Sequence, residues 1–222
     1  PCVMYNRRLR SGRGNYIVLD NASASHDLTR HLLDLGHRHI GFITGLRDLS
    51  TASERLRGYR AALRAAGLPA DPRLMRPGAF KAEMAQRAAQ EMLKLLRRPT
   101  AIMAGNDLMA LGVMQAAGDL GLRVPEDLAV VGFDDIEIAA HRQIQLTTMA
   151  QQKAEMGRMA VVWMLEIIRD PRRYRREPLQ QILTPTLVVR RTCGALMRGD
   201  KSGDRRATVP RPGRRAGRSG GG

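Results

Sequence analysis

The sequence holds little that would tie it to a particular chemistry. Its two cysteines, Cys2 and Cys193, sit near opposite ends with no CxxC and no metal-ligand spacing. That excludes a disulfide scaffold and a thiolate zinc site, and two idle thiols fit a reducing compartment. No stretch of about 18 apolar residues is present, so no membrane-spanning helix is expected. The opening Pro1-Cys2-Val3-Met4-Tyr5 has neither a basic leader nor a long apolar segment and does not read as a signal peptide. It also lacks an initiator methionine and starts in what reads as a strand, the expected look of a fragment or of a reading frame taken from a late start. Enzyme signatures are missing as well: there is no GxSxG elbow, no HExxH, and no GxxxxGK[ST] phosphate loop. Gly12-Arg13-Gly14 is not a dinucleotide fingerprint, and His26, His31, His37, His39 and His141 show no repeated ligand spacing. Neither catalysis, nor a metal, nor a cofactor is expected.

What is abundant is arginine. The formal net charge is +16, but its distribution matters more than its size. Residues 195–222 carry eight basic and two acidic side chains, so this segment alone supplies +6. Rich in Gly, Pro and Arg, it cannot offset its ordering entropy and reads as a disordered basic tail. A solvated surface is the plainer reading of the charge, and a direct nucleic-acid footprint the sharper one.

With 222 residues and 43% hydrophobic side chains, the chain can bury a sizeable core. Short β-type runs alternate with amphipathic helices, the pattern of parallel α/β sheets. Strands are expected at residues 1–5, 16–19, 39–43, 101–104, 128–133 and 183–190. Helices are expected at 25–35, 53–66, 81–96, from Asp107 to near Gly121, and at 153–169. In the third helix Met84, Ala88, Met92 and Leu95 should form the buried face. The run Leu128 to Phe133 is apolar throughout, as a strand covered on both faces should be. A junction is expected near His37-Arg38. The piece before it is too short to close a sheet unaided, so the isolated chain should expose apolar surface and aggregate.

Ligands of open parallel sheets bind beyond the carboxyl ends of the strands. Those ends here are Thr44-Gly45, Asn106-Asp107 and Asp134-Asp135, small, amide and carboxylate groups suited to the hydroxyls of a polyol or nucleoside. Asp107 equally suits a helix N-cap, and Asp135 a cap of the turn at Ile136. Asn106 and Asp134 come directly off their strands and read as binding groups. Arg55, near the start of the helix after Thr44-Gly45, either reaches over the cleft or is a solvated arginine.

The segment from Leu35-Gly36-His37-Arg38 to Thr44-Gly45 resembles one found in LacI/GalR regulators. So do Glu54-Arg55-Leu56-Arg57-Gly58-Tyr59, the run Pro99 to Gly112, Gly121 to Asp127, Val131-Gly132-Phe133-Asp134-Asp135, and Leu146-Thr147-Thr148 with the helix at Met156-Gly157. In this order, over residues 1–193, the set is specific. The resemblance implies an α/β fold of two Rossmann-like parallel-sheet subdomains, periplasmic-binding-protein-like type I, the first one incomplete. It divides the chain into 1–38 (N-terminal subdomain), 39–147 (C-terminal subdomain), 148–178 (return helix), 179–193 (final strand of the C-terminal subdomain) and the tail 194–222. It places ligand contacts on Arg55, Asn106 and Asp134, a covering aromatic on Phe80, and a further contact on Asn6, where the family often has Asp. A small sugar-like or nucleoside-like effector between the subdomains is then expected. So are a cytoplasmic homodimer without membrane association, and operator DNA bound only through a helix-turn-helix this chain lacks. A transporter's solute-binding protein is the alternative that shares the fold.

Overall fold

The computed structural model describes residues 1–198 apart from Arg10 and Arg47. Its elements follow the expected alternation: β1 (Val3–Tyr5), β2 (Asn15–Leu19), α1 (Asn21–Asp34), β3 (Ile40–Thr44), α2 (Ser50–Ala65), β4 (Met75–Pro77), α3 (Ala82–Leu93), β5 (Ala101–Ala104), α4 (Asp107–Asp119), β6 (Ala129–Val131), β7 (Thr148–Ala150), α5 (Lys153–Arg169), α6 (Arg173–Arg176), β8 (Gln180–Leu183), β9 (Thr186–Val188) and α7 (Ala195–Arg198). One sheet has the order β1-β2-β8 and a second the order β4-β3-β5-β6, both wholly parallel. An antiparallel ribbon, β7 with β9, links the two lobes.

The second sheet is buried on both faces, so its strands are apolar without a polar alternation. The period of two decides instead which core each residue enters. Ile40, Phe42, Ala101, Met103, Ala129 and Val131 face α1 and α2, whereas Ile43, Ile102, Ala104, Leu128 and Val130 face α3 and α4. Each helix pair closes over a glycine. A Cβ on Gly58 would stand 2.1 Å from the Ala22 carbonyl of α1, and one on Gly112 would stand 2.1 Å from the Ala82 carbonyl at the start of α3.

Several expectations are corrected. Helix α1, assigned with residues 1–38 to the first lobe, packs on α2 and the second sheet, because Leu28 and Leu32 bury against Phe42, Tyr59 and Met103. The lobes therefore part near Asp20. Of the strand expected over 183–190, Thr186–Val188 forms β9 while Leu183 closes β8, since Pro185 between them offers no N–H to continue a ladder. Strand β8 pairs with β2 in the first lobe, so residues 179–193 are not one strand of the second. In α3 the buried face is Ala85, Ala88, Ala89, Met92 and Leu93; Ala88 and Met92 are as expected, whereas Met84 is exposed and Leu95 lies past the helix end, half-buried. Strand β4, a short edge strand closed by Pro77, gave no readable signal. Helix α5 lies against β1 and β2 and leaves Val161, Val162, Leu165 and Ile168 exposed on its outer face. The tail expected at 194–222 lies outside the described residues from Gly199 on, while Ala195–Arg198 forms a helical turn.

Candidate functional site

In both sheets the strands run toward the seam between the lobes, and the groups at their carboxyl ends meet there. Asn6 follows β1, Asn106 follows β5, and Asp134 follows β6 by three residues. With Arg55 from α2 and Phe80 from the turn after β4, they line one cavity of about 230 Å³, completed by Arg7, Leu49 and Thr51. All five residues expected at the ligand site thus surround one space. A larger cavity of about 600 Å³ lies near Pro1, Met4 and Ile167, at the amino ends of the first lobe's strands, where few polar groups converge.

The hub of the seam is the buried Arg55 guanidinium. Its Nε donates to Asn21 Oδ1 at 2.9 Å, one terminal nitrogen donates to the Gly105 carbonyl, and the other lies 3.4 Å from Asp134 Oδ1. Its plane stacks on Phe133, 3.6 Å from the ring centroid, where a desolvated cation is well placed. Burial pushes the Arg55 pKa down and the Asp134 pKa up, and the attraction between the two opposes both shifts. Asp134 also accepts from the Gln151 side chain, and its own N–H bonds the Met149 carbonyl at 2.9 Å, tying it to the linking ribbon.

From Arg55 the network crosses into the first lobe. Asn21 donates to Glu54 Oε2 at 3.2 Å, and Glu54 Oε1 takes a 2.6 Å ion pair from Arg8, in the loop after β1. A chain of charge and amide groups therefore runs from Arg8 through Glu54, Asn21 and Arg55 to Asp134 and Gln151. Sequence reasoning missed Asn21, Arg7 and Thr51. Thr51 sits one helical turn before Arg55, a spacing that would have revealed it. Asn21 looked like part of a helix start and nothing more.

The remaining assignments at the strand ends are redistributed. The N-cap of α4 is Asn106, whose Oδ1 accepts from Met109 N at 2.9 Å, and not Asp107. Its side-chain N–H groups have no acceptor among the described residues and are left for the cavity. Asp107, fully buried, instead accepts from Thr148 Oγ1 at 2.6 Å and Ile136 N at 2.9 Å, fastening β7 and the turn after β6. Asp135 pairs with Arg190 at 2.8 Å. Asn6 Oδ1 is buried and accepts from no described residue. The backbone is strained around the same space: Asn6 (φ 56°), Phe80 (φ 59°), Asp134 (φ 120°) and Asp135 (φ 47°) are left-handed without being glycine. Such positions cost of order 1–3 kcal/mol each and gather where a structure holds groups in place for a ligand. Phe80 gains its position through Gly45, since a Cβ there would stand 2.0 Å from its ring.

Asp107 makes a pH prediction. Burial holds its carboxyl above the ordinary aspartate range, against the opposing hydrogen bonds from Thr148 and Ile136. The folded state thus binds this proton more tightly than the unfolded chain, whose aspartates titrate near ~3.9. Its contribution to stability should fall as pH rises from about 4 through the raised value. Urea unfolding across that window should show the wild type losing stability relative to Asp107→Asn as pH rises. A difference that stays flat would mean no raised carboxyl.

The geometry has counterparts among known proteins. Residues 29–193 match the periplasmic binding protein-like domain. The HTH-type transcriptional repressor CytR of Escherichia coli K12 is 37% identical over 166 residues, covering 75% of this chain and 49% of that protein. The ribose operon repressor of Haemophilus influenzae is 38% identical over 196 residues, covering 88% of this chain and 58% of that protein. Among solved structures, the complex of the transcriptional regulator CelR with cellobiose superposes with a TM-score of 0.78 at 33% identity, over 86% of this chain and 58% of that one. A LacI-family regulatory protein from Chloroflexus aggregans gives 0.77 at 30%, over 86% and 67%. The chain spans about half the length of the curated relatives it matches.

Proposed function

The chain belongs to the LacI family of transcriptional regulators through its periplasmic-binding-protein-like domain, and from that membership we propose that it is the effector-sensing core of a DNA-binding repressor. A small sugar-like or nucleoside-like molecule binds in the seam between the lobes, held by Asn6, Arg55, Phe80, Asn106 and Asp134. One observation supports this reading most: the five residues line a single polar cavity in which a buried acceptor on Asn6 stands without a partner among the described residues. The cavity of about 230 Å³ is of the size that suits a small polar molecule.

A bound effector joins groups on both lobes and so favours one angle between them. Coupling of this kind is typically about 1–3 kcal/mol, enough to alter operator affinity in a full-length homodimer whose helix-turn-helix makes the sequence-specific contact. No helix among the described residues is long and apolar enough to cross a membrane, and the proposed site of action is the cytoplasm. Repressors of this family are not enzymes, and the cavity is read as a sensor.

Calorimetric titration of the chain with a panel of pentoses, hexoses, nucleosides and purine bases tests the reading. A binder should lose up to about tenfold in affinity in Asn106→Ala and at least about tenfold in Asp134→Asn, since a neutral hydrogen bond is worth about 0.5–1.5 kcal/mol and one to a charged group about 1.5–3 kcal/mol. A ligand held equally by both variants would place the effector elsewhere.

A further inference from the structure

The pole of the first lobe opposite the effector cavity carries a concentration of charge that the sensing function leaves unused. Helix α5 begins beside the cavity, where Lys153 Nζ reaches the Asp135 carbonyl at 2.9 Å, and ends near the amino ends of β1 and β2. Seventeen residues of helix span about 25 Å, so its far end is well separated from the effector. Between positions 169 and 177 the sequence places five arginines against two carboxylates.

Both carboxylates are already engaged. Asp170 Oδ1 accepts from Arg173 N at 3.1 Å, and Glu177 lies 3.9 Å from the Arg173 guanidinium, which also stacks over Tyr174. Arg169, Arg172, Arg175 and Arg176 are exposed and have no ion-pair partner among the described residues. Arg13 is exposed on the neighbouring loop, whose Gly12 and Gly14 carbonyls accept from Gln180 Nε2 of β8. Tyr174 is fixed by its hydroxyl on Glu166 at 3.2 Å, and Pro171 stiffens the turn between α5 and α6. Four guanidinium groups without an ion pair among the described residues thus stand on and beside a held turn at one end of the lobe, with Arg13 on the loop beside it. Arg175 also lines the cavity of about 600 Å³, but the other lining groups there are mostly apolar. Several exposed, mutually repelling cations suit a ligand that presents a row of phosphates better than one small anion.

We infer that this pole is a docking surface for the phosphate backbone of duplex DNA. It adds sequence-independent affinity to whatever contact a helix-turn-helix makes, and it rests on the reading of the chain as part of a DNA-binding regulator. Each neutralised phosphate releases counterions and adds about 0.9 to the slope of log K against log salt, so four arginines predict a slope of about 3–4 from this pole alone.

The test is fluorescence anisotropy of the full 222-residue chain with a labelled random-sequence duplex of about two helical turns, from low to moderate salt. The variant replaces Arg169, Arg172, Arg175 and Arg176 with alanine, and a second replaces them with lysine. The alanine variant should bind more than about tenfold more weakly at low salt with a slope shallower by about 3–4, while the lysine variant retains most of the slope. Its urea midpoint and any effector heat should be unchanged, because these side chains are exposed and remote from the cavity. An alanine variant with unaltered affinity and slope would overturn the inference and assign the binding to basic residues elsewhere in the chain. So would arginine-dependent binding that favours phosphatidylglycerol vesicles over the duplex. If neither protein binds DNA while effector binding persists, the docking surface fails and the sensor reading stands.

Discussion

Arg55→Met should lower the stability of this protein by about 3 kcal/mol and remove effector binding with it. The guanidinium is buried, and it satisfies Asn21, the Gly105 carbonyl and Asp134 together. Methionine fills much of the space but donates nothing. Three acceptors would then lose their donor, one of them a carboxylate whose ionised form burial already disfavours. Breaking a buried ion pair by deleting one partner costs roughly 3–5 kcal/mol. The lower end applies here because the Asp134 side chain keeps 24% of its exposure and the Gln151 hydrogen bond remains. Urea denaturation measures the loss directly. Arg55→Lys separates charge from shape: a lysine keeps the charge for Asp134 but cannot also fork to Asn21 and Gly105, so it should recover only part of the stability. Full recovery by lysine would show that charge alone matters and that the bridge to Asn21 is incidental.

The second large effect is expected at Gly58→Ala. The added methyl would stand 2.1 Å from the Ala22 carbonyl and 2.8 Å from the His26 nitrogen, both of them main-chain atoms of α1. No rotamer change relieves a clash with backbone, so α1 must move away from α2, carrying Asn21 away from Arg55 and Glu54. Overpacking of this kind typically costs about 1–3 kcal/mol, and the upper end or beyond is expected because two helices and the polar seam shift together. Gly118→Ala is the matched control. It lies in α4, where an added Cβ would meet nothing within 4 Å, so it should stabilise by roughly 0.5–1 kcal/mol through helix propensity alone. Equal midpoints for the two variants would show that the helices have room to part.

Much of the second lobe was legible because its signals are local. The apolar runs at Ile40–Thr44 and Ala101–Ala104, with Gly and Pro after the intervening helices, state strand and helix at short range. Asn106 and Asp134 stood out because each follows a buried strand, where a polar side chain has few structural reasons to be. Arg55 was ambiguous from its neighbours, on a helix rich in arginine. Phe80 and Asn6 came from family resemblance alone, since an aromatic in a Gly-Ala-Phe turn carries no message by itself.

By itself, then, the sequence determined the α/β class, the alternation of elements, and which strand ends would offer polar groups, because periodicity and turn chemistry act over a few residues. Tertiary structure decided which lobe owns α1, that residues 180–188 serve two sheets, and that Asn106 rather than Asp107 caps α4. It also decided that Arg8, Glu54, Asn21, Arg55 and Asp134 form one chain across the seam. Those outcomes depend on contacts between residues tens to more than a hundred positions apart. They are made only when apolar faces with no local preference among partners find the one packing that buries them all while leaving few buried charges unpaired.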